Sequence, residues 1–147
     1  MADVVEAVTV DRSPNEVWGV LAEFDKIAGW ASNVDHSSFT TNGAVGVGTV
    51  RRVQVGRNAL LEEIREWEPN DRLVYSIDGL PPVVRSVTNT WQLNPIEAGT
   101  EITLTSSIDA GPRPPQKVAA RLFGRAMAKA SATMLAGLAQ HLSLIHI

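Results

Sequence analysis

The chain has no cysteine. Disulfides, thiolate metal sites and a cysteine nucleophile are therefore excluded, and a reducing compartment such as the cytoplasm is the expected location. Aromatic residues are scarce, with one Tyr, three Phe and four Trp. Neither charge sign dominates: the net charge of −3 gives no overall attraction for nucleic acid, and no DNA partner is expected. No apolar run reaches the length of a transmembrane helix, and the first residues, Met-Ala-Asp-Val-Val-Glu, lack the basic and apolar regions of a signal peptide. Gly-rich phosphate loops and metal-type spacings are also missing. The three histidines, His36, His141 and His146, are scattered. No metal or other cofactor is implied.

What remains is an ordinary globular composition, 44% apolar and 20% charged, in 147 residues, which suits one domain with one core. Val4 to Val10 is β-branched and predicts a strand. Ser13-Pro14-Asn15-Glu16 follows as a helix start. Ser13 is placed to cap, Pro14 to occupy the first helical position, and Glu16 to reach back to the Ser13 amide. Val17, Val20, Leu21 and Phe24 share a face of that helix, and a second short helix is expected over Asp25 to Trp30. Both are too short to stand without a sheet to lean on.

After Trp30 six strand-like runs follow: Val34–Thr40, Thr49–Val55, Ala59–Trp67, Leu73–Ile77, Val84–Leu93 and Glu101–Ile108. The separators Asn42-Gly43, Gly56-Arg57-Asn58, Pro69-Asn70-Asp71, Gly79-Leu80-Pro81-Pro82 and Asn94-Pro95 are turn material. Short separators imply an antiparallel meander. Gly111-Pro112-Arg113-Pro114-Pro115 then launches a long helix, Pro115 to Leu142. Its apolar residues Phe123, Met127, Ala130, Met134 and Leu138 recur at spacings of four, three, four and four. Two of the five are Met, and Ala120, Gly124 and Ser131 flank them, so the buried face is soft and small. Such a face can leave space between helix and sheet. Residues 143–147 fall past this helix and are set aside as a tail.

The order β, αα, six β, α, with the residues that punctuate it, resembles the START/Bet v 1-like (SRPBCC) superfamily, closest to its bacterial polyketide cyclase/dehydrase branch. The matching stretches are Ser13-Pro14, Val17-Trp18, Leu21, Phe24 and Trp30, then Val47-Gly48-Thr49-Val50-Arg51, Glu62, Trp67-Glu68, Leu73-Val74-Tyr75 and Gly99-Thr100. The resemblance covers nearly all of residues 3–142. It implies an α+β helix-grip fold: a curved seven-stranded antiparallel sheet around the long C-terminal helix, with two short helices after the first strand. Residues 1–142 would form a single ligand-binding domain.

Strand alternation places Leu60, Glu62, Ile64 and Glu66 on one face and Leu61, Glu63, Arg65 and Trp67 on the other. Composition does not choose between them. The resemblance does, since the family's residues at the positions of Arg51 and Glu62 point into a cavity, where the two can pair across neighbouring strands. A buried ion pair stabilises little net, so its presence in a cavity suggests a polar ligand group. By the same resemblance Leu73, Tyr75, Ile77, Val87, Asn89, Trp91, Leu93, Ile102, Leu104 and Ser106 face inward. The expected ligand contacts are Arg51, Glu62, Tyr75, Asn89, Trp91, Ser106, Phe123, Met127 and Met134. The plainer reading is that Trp91, Tyr75 and the Met residues simply fill a core. Trp18 and Trp30 are expected to pack the helical pair.

The implied function is binding of a small hydrophobic or amphipathic molecule. A polyketide aromatase/cyclase or dehydratase reaction is the alternative, with Arg51, Glu62 and Tyr75 as candidate catalytic groups. A guanidinium beside a carboxylate favours the ionised form, which weakens it as a base. A third reading follows from relatives of this fold described as toxins of toxin–antitoxin pairs, which would require a protein partner; a homodimer is equally compatible. The hormone-receptor branch fits poorly, because its mobile gate corresponds here to the short Val55-Gly56-Arg57-Asn58. His36 is the one candidate imidazole acid or base, with a surface role as the simpler reading, and His141 suits the negative end of the long helix. Lys117, Arg121, Arg125 and Lys129 form a ladder along that helix. It suits a solvated outer face, or docking to an acidic partner, a membrane surface or RNA.

Overall fold

The computed structural model describes residues 2–81, 84–111 and 114–144, and for Ala2, Pro114 and Gln116 the backbone alone. The order is β1 (Ala2–Val10), α1 (Pro14–Leu21), a 3₁₀ segment (Phe24–Gly29), β2 (His36–Phe39), β3 (Val50–Val55), β4 (Asn58–Glu68), β5 (Arg72–Asp78), β6 (Ser86–Ile96), β7 (Gly99–Asp109) and α2 (Pro114–Leu144). The strands form one antiparallel sheet in the order β1-β7-β6-β5-β4-β3-β2. This is the helix-grip architecture: a meander whose first strand closes onto its last, with α2 lying along β1 and β7.

Local chemistry explains most boundaries. The Ser13 hydroxyl accepts the Glu16 amide at 3.3 Å, and Pro14 sits where no amide hydrogen is needed. The Glu16 carboxylate takes the Ser13 hydroxyl at 3.2 Å. The second expected helix is a 3₁₀ segment because Lys26 departs from helical dihedrals at φ −106° and ψ 19°. Ser37 fixes that segment to β2, accepting from Ala28 N and donating to Asp25 O.

Three further expectations are corrected. Asn94-Pro95 lies inside β6, and the turn comes later, at Glu97-Ala98. Pro95 is tolerated because β6 runs past the end of β5: its last partner there is Gln92, opposite Arg72. In β4 strict alternation fails. A bulge between Ile64 and Glu66 shifts the register, so Trp67 pairs with Leu73 and Glu66 with Val74. Trp67 therefore joins the concave side, where it meets Trp18 edge-on at 4.9 Å, while Glu66 is exposed beside Arg72. Finally, α2 continues through Ser143 and Leu144, the first two residues assigned to the tail. Residues 145–147, with His146, lie outside the described residues, as do Pro82, Pro112 and Arg113.

The core is uneven along α2. Its C-terminal half is tightly held, with Met134, Leu135, Leu138 and Leu142 buried. Gly137 lets this half touch the segment after the 3₁₀ turn, since a Cβ there would overlap the Trp30 carbonyl oxygen. In the N-terminal half Phe123, Met127 and Ala130 are only half-buried. The helix is thus tightly packed at its C-terminal end, while its N-terminal half rests on β1 at Gly124 and Val4 and leaves room on the side of β3, β4 and β5.

Candidate functional site

Register assembles the polar groups of the concave face. Arg51 lies opposite Glu62, Glu62 opposite Ile77, and Ile77 opposite Val87, making one row across four strands. The next row runs Ile64, Tyr75, Asn89, Ser106. Side chains in one row project to the same face, so two adjacent rows hold every inward polar residue expected from the sequence.

Arg51 and Glu62 are 3% and 6% exposed. Arg51 Nε and Nη2 both approach Glu62 Oε1 at 2.8 Å, and Nη1 donates to the Phe24 carbonyl at 2.8 Å. The guanidinium also stacks 3.7 Å from the Phe24 ring centre and 4.7 Å from that of Tyr75. Arg51 therefore anchors the 3₁₀ segment to the sheet. Both contacts with Glu62 fall on one oxygen. Among the described residues Oε2 has no hydrogen-bond partner.

The second row is a hydrogen-bonded chain. Ser106 Oγ donates to Asn89 Oδ1 at 2.6 Å. Asn89 Nδ2 donates to the Tyr75 hydroxyl oxygen at 3.3 Å, which also accepts from Trp91 Nε1 at 3.2 Å. Burial pushes the Tyr75 phenol above its ordinary value, and the Glu62 carboxylate adds to this. Arg51 and the bonds from Trp91 and Asn89 work the other way. Tyr75 is the only tyrosine. An ultraviolet titration of the folded protein should therefore show no phenolate absorbance near pH 10, where a free tyrosine ionises. The unfolded chain ionises first, so this contribution to stability is present below pH 10 and is lost as pH rises toward the folded value. Phenolate appearing at its ordinary pH without unfolding would contradict the burial of this hydroxyl.

Two cavities lie between α2 and the sheet. The inner chamber, of 150 Å³, is lined by Ile27, Asn33, Val34, Val53, Glu62, Ile77, Asn89 and Met134, together with five residues it shares with the outer one. Those five are Val55, Leu60, Leu80, Met127 and Ala130. The outer cavity, of 770 Å³, adds Asn58, Gly79, Pro81, Leu122, Phe123 and Ala126. Leu122 is well exposed, so this cavity reaches the surface. Its walls are apolar apart from Asn58, and the inward polar groups Glu62 and Asn89 lie at the inner end.

The expected contact residues divide accordingly. Glu62, Asn89, Met127 and Met134 line the inner chamber, and Phe123 and Met127 line the outer one. Arg51, Tyr75 and Trp91 instead border a void of only 10 Å³, about the room one water needs. Ser106 reaches the chamber through Asn89. Trp30 packs edge-on to Trp91 at 5.9 Å. Asn33 was not anticipated; it sits in the loop after Trp30, where no strand or helix periodicity marks a facing direction. Its Oδ1 is buried without a hydrogen-bond partner. His36 is exposed at the start of β2, outside both cavity linings, and His141 lies in the last turn of α2. Gly79-Leu80-Pro81 forms part of the rim. Among the described residues no cluster of His, Asp and Glu is placed to hold a metal ion, and no helix is long and apolar enough to cross a membrane.

Solved structures share this fold. The Zhui aromatase/cyclase from Streptomyces sp. R1128 has a TM-score of 0.81 at 18% identity, covering 97% of this chain and 93% of that one. The Aha1 dimer from Colwellia psychrerythraea has a TM-score of 0.74 at 17% identity, covering 98% of each chain. Ara h 8.0201 has a TM-score of 0.71 at 15% identity, covering 97% of each. No curated protein matches the chain in sequence. A family profile described as "Polyketide cyclase / dehydrase and lipid transport" matches residues 1–143. With that match over nearly its whole length, the chain belongs to the polyketide cyclase/dehydrase and lipid transport family, in the SRPBCC group.

Proposed function

We propose that this protein encloses a small hydrophobic or amphipathic molecule between α2 and the sheet. The observation that carries this reading is the adjacency of the two cavities. Val55, Leu60, Leu80, Met127 and Ala130 border both, so these mostly apolar side chains are all that separates the surface cavity from the chamber where Glu62 and Asn89 stand. Apolar walls with a few convergent polar groups are the usual make-up of a small-molecule site. The family's description, which includes lipid transport, agrees with this reading.

Ala130 is one of these five, so Ala130→Trp would block passage between the two cavities. Purified protein should retain or take up a hydrophobic ligand in native mass spectrometry, and Ala130→Trp should weaken uptake by at least about tenfold, since the ligand loses most of its buried area. Circular dichroism would establish that the variant is folded. Equal uptake by a folded Ala130→Trp protein would refute the cavity as the binding site.

A cyclase or dehydratase reaction is the second reading. It rests on the free Oε2 of Glu62, a proton acceptor at a residue that lines the chamber. Loss of turnover in Glu62→Gln with retained ligand binding would favour this reading over simple carriage.

A further inference from the structure

We infer that the inner chamber selects a neutral head group that donates a hydrogen bond, such as a phenol or alcohol, and discriminates against carboxylates. This deepens the binding reading above and depends on it.

Arg51 is the cation paired with Glu62, and three of its five N–H groups are committed. Its three nitrogens are held by Glu62 and the Phe24 carbonyl, and its faces are covered by Phe24 and Tyr75. It lines the separate 10 Å³ void rather than the chamber. An anionic head entering the chamber would meet no free cation there. It would instead meet the Glu62 carboxylate, whose Oε2 is unpartnered among the described residues. Arg51 offsets part of that charge, but it stands outside the chamber lining, so a second carboxylate brought beside Glu62 is still repelled. Asn33 also lines the chamber, but its Oδ1 is fully buried and so is not offered to a ligand. Asn89 has committed Oδ1 to Ser106 and one Nδ2 hydrogen to Tyr75, so it keeps a single neutral N–H. One amide hydrogen does not offset a buried anion. The Glu62 carboxylate, the one charged group among the described residues that line the chamber, favours a ligand that brings its own donor. The chamber's 150 Å³ suits a single aromatic ring, and the apolar outer cavity suits an alkyl tail trailing toward Leu80 and Phe123.

Three probes of equal tail length test this by calorimetric titration at neutral pH: 4-hexylphenol, 4-hexylanisole and 4-hexylbenzoate. Phenol and anisole are both uncharged, but only phenol donates. The expected result is phenol binding at least about tenfold tighter than anisole, because anisole leaves the Glu62 carboxylate unsatisfied although it is the more apolar compound. Benzoate should bind weakest. In Glu62→Gln the repelling charge is gone and Arg51 lacks its counter-ion, so the gap between phenol and benzoate should narrow by about tenfold or more. Anisole binding as tightly as phenol to the wild-type protein would overturn the inference while leaving the cavity reading intact. Binding of none of the three would overturn both. Should Glu62→Gln not fold, the wild-type phenol-to-anisole ratio decides alone.

Discussion

Arg51→Ala is expected to lower stability by about 3–5 kcal/mol, read as a shift in the midpoint of urea unfolding. The loss does not measure what the ion pair contributes. Most of it comes from what remains: a Glu62 carboxylate in a buried row without its cation, a Phe24 carbonyl without its donor, and two aromatic faces without the flat group between them. The paired replacement Arg51→Met with Glu62→Leu removes both charges and should cost far less than Arg51→Ala alone. A double variant as unstable as the single one would mean that the pair stabilises the fold outright. That result would remove the main reason for regarding it as retained for a ligand.

The second large effect lies at the other end of the helix. Gly137→Ala replaces a poor helix former by the best one, which alone would stabilise by about 1 kcal/mol. The fold predicts the opposite sign, because the new methyl would overlap the Trp30 carbonyl oxygen. A net loss of about 1–3 kcal/mol is expected from overpacking against backbone, with a fall in thermal midpoint of several degrees. A Gly137→Ala protein more stable than the parent would show that α2 can lift from Trp30 at little cost.

These two positions differ in how far they could be read from the chain. Arg51 and Glu62 could be set on neighbouring strands because the separator Gly56-Arg57-Asn58 is short, and the family resemblance supplied the face; the register that puts them opposite each other comes from a tighter turn, with Asn58 already paired to Val55. Gly137 carried no such mark. It is one small residue on a helix already rich in them, and its meaning depends on a carbonyl more than a hundred residues earlier in the chain. The β4 bulge was equally hidden, since Ile64-Arg65-Glu66 contains no glycine or proline to announce it. It mattered, because it moved Trp67 inward and Glu66 outward. Pro95 misled in the other direction: a turn former by habit, it sits in a strand whose neighbour has already ended. The soft face of α2 was legible as composition. That its Met127 and Ala130 would border both cavities while Met134 lines only the inner one reflects where the helix meets Trp30, which no local pattern encodes.

That contact gives α2 the geometry of a lever. Gly137 is the fulcrum, and Phe123 lies fourteen residues away, a distance of about 21 Å along a helix. A tilt of about 5° at the fulcrum swings Phe123 by about 2 Å. Little would change near Leu138 and Leu142, while the clearance beneath Phe123 and Met127 would change by more than the width of a methyl group's contact shell. The capacity of the mouth would then depend on that angle as well as on the size of the side chains around it. Substitutions beside Trp30, remote from any bound molecule, would then alter how quickly one enters or leaves.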